Sequence, residues 1–228
     1  MAEDPKEIKV VWMNEAMLVI NKPAGMVVTN ENRQEGRDTV EDWVGQNYKN
    51  DLPREGIVHR LDKGTSGLLV VARNLVAWQF LKKQFKQREV KKYYLAMAGG
   101  DLPTEGKINM PIDRSKYSFG RFKVDEEGKM AVTEFELIKK IKIGGKIFSL
   151  IRINLKTGRT HQIRVHMNYL GWPLLGDKIY GGFMGSKLKR PFLHATELII
   201  REPVGGEELD FKVGLPSDLE NILKEYEE

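Results

Sequence analysis

The chain has 228 residues, no cysteine, 41% hydrophobic and 30% charged residues, and a net charge of +5 with a pI near 9.2. This composition describes a folded globular chain, excludes disulfides, thiolate metal sites and cysteine nucleophiles, and suits a polyanionic partner. Apolar runs such as residues 68–72 are too short to cross a bilayer, and residues 1–12 lack the basic and apolar regions of a secretory signal, so a cytoplasmic location is expected.

Residues 8–13 and 17–20 read as short strands joined by a turn at Asn14-Glu15, and Lys22-Pro23-Ala24-Gly25 breaks the second. Thr39 with Asp42 makes a capping-box pattern ahead of a helical face of Val40, Trp43, Val44 and Tyr48. Residues 67–73 read as a buried strand. Asn74 then caps a helix with Leu75, Trp78, Leu81 and Phe85 on its apolar side and its lysines outward. Residues 93–98 form a strand, and the polar segment 113–128 reads as a loop near a bound partner. Residues 131–141 and 146–156 are long strands around a Gly144-Gly145 hairpin. A short helix follows Thr160, with Ile163, Met167 and Leu170 on one face and Gly171 as its stop. Strands at 197–201 and 209–213 flank Gly205-Gly206, and Ser217 with Glu220 makes a capping box for a last helix bearing Leu219, Ile222, Leu223 and Tyr226. No repeat or linker divides the chain, so one α+β domain over residues 1–228 is expected. Its central sheet should be mixed but mostly antiparallel, flanked by helices and loops.

The most informative stretch is His59-Arg60-Leu61-Asp62-Lys63-Gly64-Thr65-Ser66-Gly67, which leads into the apolar run Leu-Leu-Val-Val-Ala. An Asp in a tight loop that opens onto a strand has a fixed direction, which makes Asp62 a candidate nucleophile or general base. The plainer alternative is a turn Asp that accepts from the Thr65 or Ser66 amide.

These nine residues resemble the motif H-R-L-D-x-x-T-S-G of the RluA-type pseudouridine synthases. Other segments resemble the same family in the same order. They are Asn21-Lys22-Pro23-Ala24-Gly25, then Val90-Lys91-Lys92-Tyr93-Tyr94-Leu95-Ala96, then Thr157-Gly158-Arg159-Thr160-His161-Gln162-Ile163-Arg164-Val165-His166, then Pro173-Leu174-Leu175-Gly176-Asp177 with Tyr180-Gly181. The resemblance runs from about residue 18 to residue 219. It implies the pseudouridine-synthase fold and an enzyme that detaches uracil from ribose in RNA, turns it, and rejoins it through carbon. It implies Asp62 as nucleophile or base, Arg164 as the guanidinium partner of Asp62, and Tyr94 rather than Tyr93 as the tyrosine that stacks on the flipped uracil. It implies Arg60, with His59 near it, as the side chain that fills the gap left in the RNA stack. Lys22, Thr65, Arg159 and Ile163 lie in the matching motifs and are assigned to substrate and RNA binding. No cofactor and no metal are implied. The partner expected is a structured tRNA or rRNA stem-loop, bound by a monomer. Many relatives carry a small basic RNA-binding module ahead of the catalytic domain. Here the first motif begins near residue 18, so recognition is expected from the catalytic domain itself.

Charge clustering fits that reading. Lys82, Lys83, Lys86, Arg88, Lys91 and Lys92 fall within eleven residues, opposed only by Glu89. Lys139, Lys140, Lys142 and Lys146 form a second group, and Lys187, Lys189 and Arg190 a third. Each cluster alone reads as a solvated face; together they favour a phosphate-binding surface.

Three other readings compete. Phosphoaspartate enzymes carry D-K-T-G-T, whereas this loop reads D-K-G-T-S and no second acidic motif follows it. His59, His161, His166 and His194 are the only histidines, and the five-residue spacing of His161 and His166 does not put both on one helix face. A non-catalytic RNA-binding protein would use the same basic clusters and a stackable tyrosine, but it would not need Asp62.

Overall fold

The computed structural model describes residues 7–29, 39–49, 51–116, 120–185 and 187–226. Its strands in chain order are β1 (Lys9–Met13), β2 (Met17–Lys22), β3 (Ser66–Ala72), β4 (Lys91–Gly99), β5 (Glu105–Asn109), β6 (Ile112–Arg114), β7 (Phe122–Val124), β8 (Val132–Ile143), β9 (Lys146–Leu155), β10 (Leu193–Arg201) and β11 (Glu208–Lys212). The helices are α1 (Val40–Asn47), α2 (Leu75–Gln87), α3 (Gln162–Tyr169) and α4 (Ser217–Tyr226). The chain divides into two units, Met1–Lys91 with Ala195–Gly214, and Lys92–His194 with Leu215–Glu228.

In the first unit β1, β2, β3, β10 and β11 follow one another as sheet neighbours. Asn14 makes the β1–β2 turn by accepting the amides of Ala16 and Met17, both at 2.9 Å. Every residue of β3 is buried, as expected of an inner strand covered on both faces. Met17, Val19, Leu68, Val70, Leu198 and Phe211 form the core with Leu81 of α2. The expected Thr39–Asp42 capping box at α1 and Asn74 cap at α2 are both present, the latter accepting from Ala77 at 2.9 Å. The expected apolar face of α2 is only partly right. Leu75 is 54% exposed, while Ala77 in the same turn is buried. Gln84 is buried in its place, donating to the Arg201 carbonyl at 2.9 Å and accepting the Arg201 amide at 3.0 Å. Two satisfied backbone bonds remove the cost of burying that amide.

Gly67 explains the glycine of T-S-G. Its φ is +118°, and a Cβ there would lie 2.2 Å from the Ala195 carbonyl oxygen of β10. Gly67→Ala should therefore lose roughly 2–4 kcal/mol, because both the left-handed backbone and the neighbouring strand must give way. Urea denaturation checks this; a loss under about 1 kcal/mol would show that β3 and β10 separate freely.

In the second unit β4, β9, β8 and β5 pair antiparallel in that order. Gly144 and Gly145 turn the β8–β9 hairpin at φ +56° and +76°, the left-handed pair that a two-residue hairpin requires. Met97, Ile143, Phe148, Leu150, Phe192, Leu219 and Ile222 share one core. Ile112, Ala131, Val165 and Tyr180 share another. Two expectations need correction. The polar segment 113–128 is not all loop: β6 and β7 pair as a hairpin, with Phe122 and Val124 packed on the second core. Ser217 does not cap α4; the helix starts there, and the Leu219 and Glu220 amides donate to the Pro216 carbonyl at 3.0 Å. No described helix is long and apolar enough to cross a membrane.

Candidate active site

The first unit holds Asp62 between two backbone anchors. Thr65 donates its amide to the Asp62 carbonyl at 3.0 Å, closing a turn. The next carbonyl, of Lys63, accepts the Gly25 amide at 2.7 Å. The segment Asn21-Lys22-Pro23-Ala24-Gly25 thus braces the Asp62 loop, which explains why the two motifs belong together. Lys22 is fully buried, and its ammonium donates to the Pro23 and Met26 carbonyls at 2.8 and 2.9 Å. Those bonds fix the turn that presents Gly25.

The residues before Asp62 alternate as an extended segment does. His59 and Leu61 point inward: Leu61 is buried, and His59 Nε2 accepts the Val70 amide of β3 at 3.0 Å. The His59 ring also stacks on Phe85 of α2, with centroids 4.4 Å apart and planes 21° apart. Arg60 is exposed and Asp62 half-buried. His59, read from sequence as a neighbour of RNA, is placed as the anchor of this loop to β3 and α2. Thr65 is buried beneath it.

The second unit holds the other expected residues. Tyr94 is buried on β4 opposite Ile153 of β9. Tyr93 faces the other side of the strand, under the Arg152 guanidinium at 3.7 Å. The two tyrosines thus lie on opposite faces of β4, as strand alternation requires.

Arg159 precedes α3, and Ile163 and Arg164 lie in its first turn. The types in that segment follow from a polar network inside the fold. Gln162 accepts from the Thr157 hydroxyl at 2.7 Å and the Arg159 amide at 3.0 Å, and donates to Val132 and Thr133 on β8. His166 Nε2 faces the Met110 carbonyl at 3.0 Å, so it must carry the proton; Nδ1 then accepts from the Thr133 hydroxyl at 2.9 Å. Burial pushes the His166 pKa below the ordinary histidine value of 6.5, against the Met110 bond, which raises it. The unfolded chain therefore binds the proton more readily. This contribution to stability is fully present above about pH 6.5 and is lost as pH falls through the lower folded value. Thermal melts from pH 7.5 to 5 should show the wild type losing more than His166→Gln; equal slopes would remove this group as a cause.

Arg164 is buried and pairs with Asp177, which lies in the Pro173-Leu174-Leu175-Gly176-Asp177 motif. Nε and Nη2 donate to the two carboxylate oxygens at 2.7 and 2.8 Å. Asp177 also accepts the Ile179 and Tyr180 amides at 3.1 and 3.2 Å, and the Tyr180 ring lies 5.0 Å from the guanidinium. The Tyr180 hydroxyl bonds His161 Nδ1 at 2.9 Å and accepts the Phe122 amide at 3.0 Å. Sequence reasoning missed Asp177, Tyr180 and Gln162 as site-building residues. All three sat in motifs already singled out, but nothing local marks which partner each takes. Ile163 is buried and Arg159 half-buried, its Nε donating to the Met130 carbonyl at 3.2 Å. Among the described residues no group of three or more His, Cys, Asp or Glu could hold a metal ion.

The sequence pattern described as RNA pseudouridylate synthase matches residues 16–169. The chain belongs to the RNA pseudouridylate synthase family. This synthase is 36% identical over 232 residues to the ribosomal large subunit pseudouridine synthase D of Buchnera aphidicola, covering 95% of this chain and 72% of that protein. It is 37% identical to the RNA pseudouridine synthase YhcT of Bacillus subtilis, uncharacterized, over 96% of this chain and 72% of that one. Against the solved human RNA pseudouridylate synthase domain containing 1, the TM-score is 0.76 at 26% identity, covering 96% of this chain and 89% of that one. The enzyme is thus an isomerase acting on RNA, with the pseudouridine-synthase fold.

Proposed function

We propose that the synthase isomerises uridines in structured ribosomal RNA of the large subunit, with Asp62 as its nucleophile or base. The observation that carries the catalytic part is the Asp62 loop: half-buried, turned by Thr65, braced at Lys63 by Gly25 and tied through His59 to β3 and α2. Such bracing holds a carboxylate in one direction without the protein having to reorganise during reaction. The substrate part is supported by the relatives named for the large ribosomal subunit. The family match runs through residues of both units, which supports treating residues 1–228 as one catalytic domain.

The reaction breaks the bond from ribose C1′ to uracil N1 and forms one from C1′ to C5. The C5 proton leaves and N1 gains one, so the change is an isomerisation that needs no outside oxidant. Asp62 attacks the sugar or the ring, or removes a ribose proton. Arg164, fixed by Asp177, is the positioned cation, and Tyr94 takes the flipped uracil. Arg60 fills the gap in the stack and Arg159 contacts RNA; Lys22, Thr65 and Ile163 shape the loops that do so. The cell compartment is the cytoplasm, and the working form is a monomer.

The substrate is tested by incubating purified protein with large-subunit rRNA, small-subunit rRNA and tRNA transcripts, followed by carbodiimide mapping of pseudouridine. Conversion at one or a few large-subunit positions is expected. Conversion of tRNA alone would overturn the substrate class while leaving the reaction intact.

A further inference from the structure

α2 is the element on which the Asp62 loop leans, through Phe85 and His59. Its outward side carries Lys82, Lys83 and Lys86, spaced so that they share one helix face. Arg88 follows at its end. All four are exposed. None of Lys83, Lys86 and Arg88 has a carboxylate partner among the described residues, and Lys82 lies 3.9 Å over the Trp78 ring, which leaves its charge uncompensated. Lys91 continues the line and is held only loosely, 3.6 Å from Glu208.

The backbone at Arg88 adds an independent observation. Arg88 ends α2 in the left-handed conformation, at φ +62°, with its amide reaching the Gln84 and Phe85 carbonyls. Glycine is the residue this position favours, and an arginine there is strained. Favourable interaction with the helix C-terminus accounts for a cation near this end, but not for choosing a strained one, nor for Lys82 and Lys83 further up the helix.

The geometry points to this ridge, Lys82, Lys83, Lys86 and Arg88, as the surface that grips the phosphate backbone of the RNA strand flanking the target uridine. This rests on the RNA-modifying reading above and adds to it where the strand runs. Phe85 lies within the same turns of α2 as Lys82, Lys86 and Arg88, and its ring carries His59, the residue before Arg60. A strand whose gap Arg60 fills therefore has its neighbouring phosphates within reach of these cations. Three of the four cations are lysine point charges, which suits phosphates more than base edges.

The test compares filter binding of a synthetic RNA hairpin with uridines in its loop, from 50 to 300 mM salt, by the wild type and three variants. The ridge variant K82Q/K83Q/K86Q/R88Q should bind at least about tenfold more weakly, with a salt slope shallower by about 3. A variant lacking as many charges on β8 and the start of β9, K139Q/K140Q/K142Q/K146Q, should lose far less. There Lys140 already pairs with Asp101. Equal losses in both variants would reduce the effect to net charge and overturn the ridge. So would a ridge variant that keeps wild-type affinity, or a ridge that binds phosphatidylserine vesicles and not the hairpin. Arg88→Gly separates folding from binding. It should raise Tm by about 2–4 °C as the strain is relieved, yet weaken the hairpin complex. A more stable Arg88→Gly with unchanged affinity would remove Arg88 from the ridge. Pseudouridine formation by the wild type is scored separately on large-subunit rRNA. Failure there overturns the substrate reading, while hairpin binding decides the ridge on its own.

Discussion

Asp62→Asn should reduce pseudouridine formation by on the order of 10⁴-fold or more while leaving the fold standing. The amide keeps the size of the carboxylate and can still accept hydrogen bonds, but it cannot attack carbon or take a proton. The backbone of the loop is held by other groups. Its turn is made by the Asp62 carbonyl and Thr65 amide, and its anchors are the Lys63 carbonyl, His59 and buried Leu61. Stability should therefore stay within about 1 kcal/mol of wild type. Single-turnover conversion of a large-subunit rRNA transcript, read beside a urea melt, checks both halves. Activity within tenfold of wild type would remove Asp62 from the chemistry. Loss of activity together with unfolding would assign it a structural part instead.

Asp177→Ala should be the most destabilising single change among the site residues, by about 3–5 kcal/mol. Arg164 is buried, and Asp177 supplies the two oxygens that hold Nε and Nη2. Removing that carboxylate leaves a buried guanidinium without its bidentate partner and strands the Ile179 and Tyr180 amides. The double replacement Arg164→Met with Asp177→Ala should recover part of the loss, because no charge then remains to be compensated. Urea denaturation of the three proteins measures this. A single variant within about 1 kcal/mol of wild type would mean that solvent reaches the pair and that Asp177 does not fix Arg164.

The parts of this molecule legible in the sequence were those whose physics is local. The Asn74 cap, the Thr39–Asp42 box and the Gly144-Gly145 turn each rest on neighbours within a few residues, and each is present. Long-range partners decided what was missed. Gln84 carries no local mark of burial, yet its amide bonds the backbone of Arg201, far along the chain. Leu75 sat at an apolar position of the helix period, yet it is 54% exposed while Ala77 in the same turn is buried. His59 carries no mark that its ring will lie on Phe85 and not toward solvent. Asp177 was visible as an acid in a motif, but its pairing with Arg164 depends on how two segments of the second unit meet. Gly67 was recognisable as a motif glycine, and only the approach of Ala195 gives the reason.

One measurement bears most directly on the central claim. Large-subunit rRNA from cells lacking this protein is mapped for pseudouridine with carbodiimide, then mapped again after expression of wild-type protein or Asp62→Asn. At least one position should be lost without the protein, restored by the wild type and not by Asp62→Asn. Restoration by both proteins would contradict it, since the modification would then proceed without the Asp62 carboxylate.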